Sequence, residues 1–203
     1  MPAKRPAPRL ALVNEQHMNK AQQALLSSLR AGPRGASITA RGPFAAWMHA
    51  PELGELAQRL GAFCRYGTAL PPRLSEFAIL CTARLWRAQY EWFAHAPMAL
   101  KGGVKPETIE DLRRGRAPIS APKDERAIFD FIQELYKTRR VSERTYKRVQ
   151  SRLGDKATVE LVGILGYYAL ISMTLNVFQM LPPEDQALAF PESRQTGRKI
   201  YRR

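Results

Sequence analysis

Apolar residues recur every three to four positions along most of the chain, which is the spacing of amphipathic helices. The first such stretch runs from Asn14 to Arg30 and places Leu25 and Leu29 on one face. Gly32-Pro33 ends it, because neither residue favours continuation of a helix. We therefore predict a first amphipathic helix over residues 14–30.

The next stretches alternate between loop and helix. Residues 34–44 contain two glycines and show neither helical nor strand periodicity, so they are predicted to form an ordered loop. A short helix is predicted over residues 44–49, and Pro51 begins another that reaches about Arg65.

Residues 73–100 again follow the helical period, and we interpret them as two helices with a break near residues 86–88. Gly102-Gly103 stops the second helix. Pro106 then begins a short helix, since proline is well tolerated in a first turn.

The second half of the chain follows a link marked by Pro118 and Pro122. Helices are predicted over residues 123–136, 142–153 and 156–180, with Ser142 as an N-cap. No stretch alternates convincingly between apolar and polar residues with the period of two that is typical of β-strands. The predicted fold class is therefore all-α, with two helical halves packed as one unit.

Charge is concentrated at the two ends of the chain. The formal net charge is +14, and the first and last ten residues hold eight basic side chains and no acidic one. We predict a basic tail over residues 1–13, a helical domain over 14–185 and a second basic tail over 186–203. Tail charge without a recognition motif attracts any polyanion, so nucleic-acid binding is not the favoured function.

One segment is apolar enough to need comparison with a membrane span. Residues 161–181 carry no charge, but glycine, serine, threonine, asparagine and glutamine interrupt them. A helix buried in the core or in a subunit interface is the preferred interpretation, and no membrane association is expected.

The two cysteines, Cys64 and Cys81, match neither a redox pair nor half of a zinc site. Reduced thiols are the expectation. The basic N-terminus is not followed by the apolar stretch of a signal peptide, so we expect a cytoplasmic protein.

The residues best suited to chemistry are Glu91 and His95, which are four positions apart on a predicted helix. This spacing places a carboxylate and an imidazole on one face, where they can share a proton. Histidine is the natural acid or base near neutral pH. By itself, a glutamate and histidine pair at this spacing is more often exposed to solvent on the protein surface. The aromatic residues around it, Tyr90, Trp92 and Phe93, indicate instead that the pair lies in a partly buried environment.

The order and spacing of several short motifs in this chain resemble those of the carboxymuconolactone decarboxylase family, whose relatives include alkylhydroperoxidase D. The similarity covers most of the chain and is strongest in Gly42-Pro43-Phe44, Leu74 to Leu80, Tyr90-Glu91-Trp92 and His95 to Gly103. It implies an alkylhydroperoxidase D-like helical fold that assembles as a trimer or hexamer. By this resemblance, Glu76 is the third member of a relay with Glu91 and His95.

In the peroxidase branch of that family, a glutamate and a histidine flank a Cys-x-x-Cys pair. Here Glu76 and His95 match the glutamate and histidine, while Ala88 and Glu91 occupy the cysteine positions. A peroxidase of that type needs a thiolate nucleophile. Thiol peroxidase chemistry is therefore the less favoured alternative.

The decarboxylase branch resembles this chain in having a polar Glu and His pair and in needing neither a metal nor an organic cofactor. Its substrate is a lactone that carries a carboxylate. By resemblance, His95 supplies or relays a proton to carbon, while Glu91 and Glu76 orient it and raise its pKa.

A small carboxylate substrate calls for cationic and polar partners. The candidates for substrate binding are Arg34 and Arg65, with Tyr90 and His49 as further cavity residues. No metal site is predicted, because the histidines and carboxylates form no ligand-spaced cluster.

The charge-free helix near residues 163–178 indicates a homo-oligomer, since one small domain can hardly cover it on all sides. Two alternatives to the decarboxylase-like enzyme remain open. One is an alkylhydroperoxidase-like antioxidant protein, and the other is a non-enzymatic oligomeric binding protein.

Overall fold

The computed structural model describes residues 5–191, and every regular element within that range is a helix. The predicted all-α class is thus confirmed. The helices are α1 Lys20–Ala31, α2 Pro43–Trp47, α3 Pro51–Ala62, α4 Pro72–Trp86, α5 Gln89–Gly102, α6 Pro106–Arg113, α7 Lys123–Thr138 and α8 Glu143–Val177. A short 3-10 turn, Glu15–His17, precedes α1, and a π-turn, Phe63–Gly67, follows α3.

Helix α1 begins six residues later than predicted. The Asn19 side chain accepts a hydrogen bond from the Gln22 backbone N–H, and the Gln22 side chain accepts one from the Asn19 N–H. This capping box satisfies two otherwise unpaired donors and fixes the start of the helix. The predicted start at residue 14 was wrong because the apolar pattern continues through the 3-10 turn.

Helix α4 is the centre of the core. It packs against α5, α7 and α8, and its side chains are buried from Leu74 to Ala83. Phe77, Ile79 and Leu80 are fully enclosed. The predicted break after α4 is confirmed at Arg87, whose φ of 54° is left-handed and ends the helix, so that α5 turns back along α4.

Helix α8 contains the predicted boundary between two helices as a kink at Gly154, where φ is +76°. The predicted cap is confirmed, because the Ser142 side chain accepts a hydrogen bond from the Thr145 N–H. By length and composition alone α8 could cross a membrane, but 56% of its most apolar window is buried within the protein. Core helices of soluble proteins share this property.

The described ends of the chain contact the helical body. The Arg9 backbone N–H donates to the Phe178 carbonyl at 3.0 Å, and Arg5 donates to the Pro183 carbonyl at 2.9 Å. Phe190 is buried against Trp92, with 5.3 Å between ring centroids. Arg5 and Arg9 therefore hydrogen-bond to the helical body, whereas Lys4 and the basic residues after 193 lie outside the described residues. The predicted domain boundaries stay predictions.

Candidate active site

His95 lies between two carboxylates in the protein interior. Its Nδ1 atom is 2.6 Å from Glu76 Oε2, and its Nε2 atom is 3.0 Å from Glu91 Oε1. All three residues are buried: His95 is 5% exposed, Glu76 is 6% exposed and Glu91 is 4% exposed. The structure thus brings together the three residues predicted to be catalytic.

Two helices make this arrangement. Glu91 and His95 are one turn apart on α5, so their side chains lie on the same face. Glu76 projects from α4, which packs antiparallel to α5 through the tight turn at Arg87 and Ala88. The imidazole therefore receives one carboxylate from its own helix and one from the neighbouring helix.

The surroundings of His95 favour its charged form. Burial lowers the pKa, but the charge of Glu91 and hydrogen bonds to Glu76 and Glu91 outweigh burial and raise the pKa to about 9. This agrees with the predicted effect of two carboxylates on one imidazole. At neutral pH the imidazolium donates an N–H to each carboxylate.

Glu91 and His95 line a cavity of about 330 Å³. One wall is formed by the loop between α1 and α2, and the other walls by α5, α8 and the π-turn. Three guanidinium groups line it, from Arg34, Arg41 and Arg65. With His95 protonated, these cations outnumber the carboxylates of Glu76 and Glu91, so the cavity suits an anionic ligand.

The arginines are positioned by different contacts. Arg65 Nε lies 4.0 Å from Glu76 Oε1, and its guanidinium stacks over the Tyr66 ring at 5.0 Å. Arg34 donates to the Gln58 backbone carbonyl at 3.2 Å and to Gln58 Oε1 at 3.3 Å. Both arginines predicted to bind substrate therefore line the cavity with fixed guanidinium groups.

Tyr90 also lines the cavity, as predicted, and it packs on the loop at Gly42. A Cβ atom at Gly42 would lie 2.4 Å from Tyr90 Cε1, and the residue has a φ of +56°. Only glycine fits both conditions. Burial, followed by the charge of Glu91, raises the pKa of Tyr90, so its hydroxyl stays protonated at neutral pH.

His49 does not contribute to this cavity. Its Nε2 atom lies 2.9 Å from the Ala11 carbonyl oxygen, and the side chain is exposed. The structure therefore corrects the predicted place of His49 among the substrate-binding residues. A histidine just before α3 serves here to hold the N-terminal segment.

Three titratable residues of the cavity were not predicted as site residues from the sequence: Arg41, Tyr167 and Tyr168. Arg41 directly precedes the Gly42-Pro43-Phe44 motif of the family resemblance, and this position was a signal in the sequence that pointed to it. The two tyrosines lie on an apolar helix that shows only a core pattern in the sequence. Tyr168 packs edge-on against the His95 ring, with 5.1 Å between centroids, and Tyr167 packs in the same way on Tyr168 at 5.2 Å.

Both cysteines are buried, and neither lines this cavity. Burial raises the pKa of Cys64 to about 11 and that of Cys81 still further. Among residues 5–191, no group of three or more His, Cys, Asp and Glu side chains is placed to hold a metal ion.

Two comparisons with known proteins bear on this chain: a family model matches the residues of the site, and a solved structure matches the fold. Residues 51–134 match the model of the carboxymuconolactone decarboxylase family. This range contains Glu76, Glu91 and His95. The comparison with curated proteins gives no match.

A solved structure from Ralstonia eutropha, described as an alkylhydroperoxidase AhpD core and an uncharacterized peroxidase-related protein, is similar in fold. The TM-score is 0.68 at 15% identity, over 89% of this chain and 95% of that one. The resemblance to the carboxymuconolactone decarboxylase family and the alkylhydroperoxidase D-like fold are thus confirmed.

Proposed function

We propose that this protein is a cofactorless acid-base enzyme that decarboxylates a carboxylated lactone or a related acid from aromatic-compound degradation. The observation that carries the proposal is a buried imidazole held by two carboxylates at the edge of a cavity with three arginines. This arrangement combines a proton relay with anion binding.

The proposed reaction begins when the bond between a ring carbon and the substrate carboxylate breaks. Carbon dioxide leaves, and the electron pair is delocalised into the conjugated lactone. A proton from the enzyme then adds to carbon and restores the neutral ring. The enzyme therefore has to hold an anion and to deliver one proton at the right place.

The geometry suggests the route of that proton. Both nitrogen atoms of His95 are occupied by carboxylates, and Glu91 lines the cavity whereas Glu76 lies behind the imidazole. A proton can pass from His95 Nε2 to Glu91 and from Glu91 to substrate. Glu76 then stabilises the imidazolium and fixes its orientation.

Substrate binding is proposed to use the cavity arginines. Arg34 and Arg41 come from the loop before α2 and Arg65 from the π-turn, and all three line the cavity together with Glu91. A guanidinium binds a carboxylate through two parallel hydrogen bonds, and the partly enclosed cavity strengthens this interaction. A planar ring with one or two carboxylates would fit the volume of about 330 Å³.

The test is a panel of cofactor-free turnover assays on carboxylated lactones and related ring-cleavage acids. We expect turnover by the wild type and a loss of roughly 10²-fold to 10⁴-fold in kcat for His95→Ala and Glu91→Gln. Glu107→Gln, at an exposed carboxylate on α6, is the matched control and should keep wild-type turnover. Absence of turnover in the wild type on the whole panel would refute the proposed reaction.

A second candidate is peroxide reduction, which is favoured by the Glu76 and His95 pair and by the fold shared with a peroxidase-related protein. This chemistry would require Cys64 or Cys81 to react, and burial raises the pKa of both thiols. Peroxide consumption that is lost in Cys64→Ser or Cys81→Ser would favour this candidate over the decarboxylase.

We further propose that the protein forms a homo-oligomer, either a trimer or a hexamer. Large apolar side chains are exposed along α3 and the following turn and along α8, namely Leu53, Leu56, Leu60, Phe63, Val159, Val162, Met173 and Val177. Such stripes favour burial in an interface. Light scattering that gives the mass of a monomer at micromolar concentration would contradict this.

An oligomer without activity on any acid or peroxide would instead favour the non-enzymatic binding protein.

A further inference from the structure

Tyr167 and Arg34 converge at one point in the cavity wall. The position is set by Gly61 on α3, where a Cβ atom would lie 2.0 Å from the Tyr167 hydroxyl oxygen and 2.8 Å from Arg34 Nη2. The two polar groups therefore occupy the space that any other residue at position 61 would fill.

Each group is held by several contacts. Arg34 is fixed by two hydrogen bonds to Gln58, and its guanidinium lies 5.3 Å above the Phe44 ring. Tyr167 is 5% exposed and packs against Tyr168. A donor pair held in this way loses little conformational freedom when it meets a ligand.

The Tyr167 hydroxyl is available as a donor. Burial raises its pKa, although the charge and hydrogen bond of Arg34 oppose this, so the group stays protonated through the neutral range. Arg34 Nη2 and the Tyr167 hydroxyl lie together beside Gly61, and both residues line the cavity. The O–H can therefore donate to a ligand in the cavity.

We propose that Tyr167 and Arg34 bind the oxyanion that forms on the lactone carbonyl oxygen when carbon dioxide leaves. This inference rests on the proposed function and adds a group that stabilises negative charge to the proton relay in the same cavity. As the carbon–carbon bond breaks, its electron pair moves through the ring and the negative charge collects on that oxygen. The two donors stabilise this charge until the proton from Glu91 reaches carbon and the carbonyl re-forms.

The ligand class that follows is a planar, conjugated oxyanion. A phenolate has the same chemistry as the enolate of an unsaturated lactone, whereas a benzoate offers a carboxylate that any of the cavity arginines can bind. Comparison of the two separates the proposed donor pair from general attraction of anions.

The experiment is a binding titration with 4-nitrophenol, followed by the absorbance of its phenolate form, beside 4-nitrobenzoate. We expect the wild type to bind the phenolate in preference to the phenol by about tenfold or more, which is the scale of a hydrogen bond to a charged group. Tyr167→Phe and Arg34→Gln should lose most of this preference, and Tyr167→Phe should leave 4-nitrobenzoate affinity within about twofold.

Tyr146→Phe, an exposed tyrosine on α8, is the matched control and should behave as the wild type. A wild type without phenolate preference, or an unchanged preference in Tyr167→Phe, would overturn the inference. Failure of the decarboxylation assays with the phenolate preference intact would refute the reaction and leave this oxyanion site in place.

Discussion

The Nδ1 atom of His95 and the Oε2 atom of Glu76 lie 2.6 Å apart across the contact between α5 and α4. Because Glu91 occupies the other ring nitrogen at 3.0 Å, the imidazole is enclosed by carboxylates on both sides. These two contacts determine the protonation state of His95 and therefore the pH dependence of stability and of activity.

The first prediction concerns stability and pH. The pKa of His95 is raised to about 9 in the folded protein, against an ordinary value of 6.5. Its proton therefore stabilises the fold fully below about pH 6.5, and this contribution, on the order of a few kcal/mol, is lost as pH rises through about 9. Urea unfolding of the wild type between pH 6 and 10 measures the loss. His95→Asn should show a smaller pH dependence, and equal curves would contradict the assignment.

The second prediction concerns Glu76 as a positioning residue. Glu76→Gln removes the charge behind His95, so we expect the pKa of His95 to fall and kcat to drop by roughly 10²-fold. The alkaline limb of the activity profile should move to lower pH. Proton NMR titration reports the same pKa without substrate, with His17 and His49 as internal references. A loss of activity without any change in this pKa would indicate a merely structural role for Glu76.

The third prediction concerns Gly61. A methyl group at this position would displace the Tyr167 hydroxyl and Arg34 Nη2, so Gly61→Ala should abolish the phenolate preference. Alanine favours a helix over glycine by about 1 kcal/mol, which partly offsets the steric cost. Gly163→Ala, with open space around its Cβ position, is the control and should be neutral or slightly stabilising. Phenolate binding by Gly61→Ala at the wild-type level would show that close packing at this residue does not position the donors.

The fourth prediction concerns thiol reactivity. Since both cysteines are buried and the pKa of each is raised, Cys64 and Cys81 should react slowly with a disulfide reagent in the folded protein and quickly in denaturant. Hydrogen peroxide should leave both as thiols on the same timescale, as judged by mass spectrometry. Rapid oxidation of one cysteine in the native protein would instead favour the peroxidase candidate.

The fifth prediction concerns the link between the two halves of the fold. Arg73 on α4 forms ion pairs with Asp124 and Glu125 at the start of α7, and Glu125 is 1% exposed. Arg73→Ala leaves that carboxylate without its cation, so the free energy of unfolding should fall by about 3 to 5 kcal/mol. Arg59→Ala breaks an exposed pair with Glu55 and should cost less than about 1 kcal/mol. Urea unfolding compares the two, and similar losses would contradict a special role for the buried pair.

The sequence determined the helical elements well, because local periodicity and breakers carry that information. Helix ends at Gly102, Pro106 and Ser142 follow from residues whose backbone preferences act locally. The start of α1 was predicted too early, since the apolar pattern does not distinguish a 3-10 turn from the helix that follows it.

The candidate site was only partly determined in this way. The spacing of Glu91 and His95 on one helix predicts a shared face, whereas Glu76 was placed by family resemblance more than by spacing. His49 was predicted as a further cavity residue, and the structure places it against Ala11 instead.

What only the tertiary structure decided is which distant side chains meet. Arg41, Tyr167 and Tyr168 reach the cavity because the loop before α2 and the middle of α8 pack around α5. In the sequence, Tyr167 and Tyr168 have the pattern of ordinary core residues, and nothing local pairs them with an arginine more than a hundred positions away. The sequence by itself determined the helices and the Glu91 and His95 pair, since these depend on neighbours along the chain. Packing determined the enclosure of His95, its raised pKa and the Arg34 and Tyr167 pair, since burial and charge act through space.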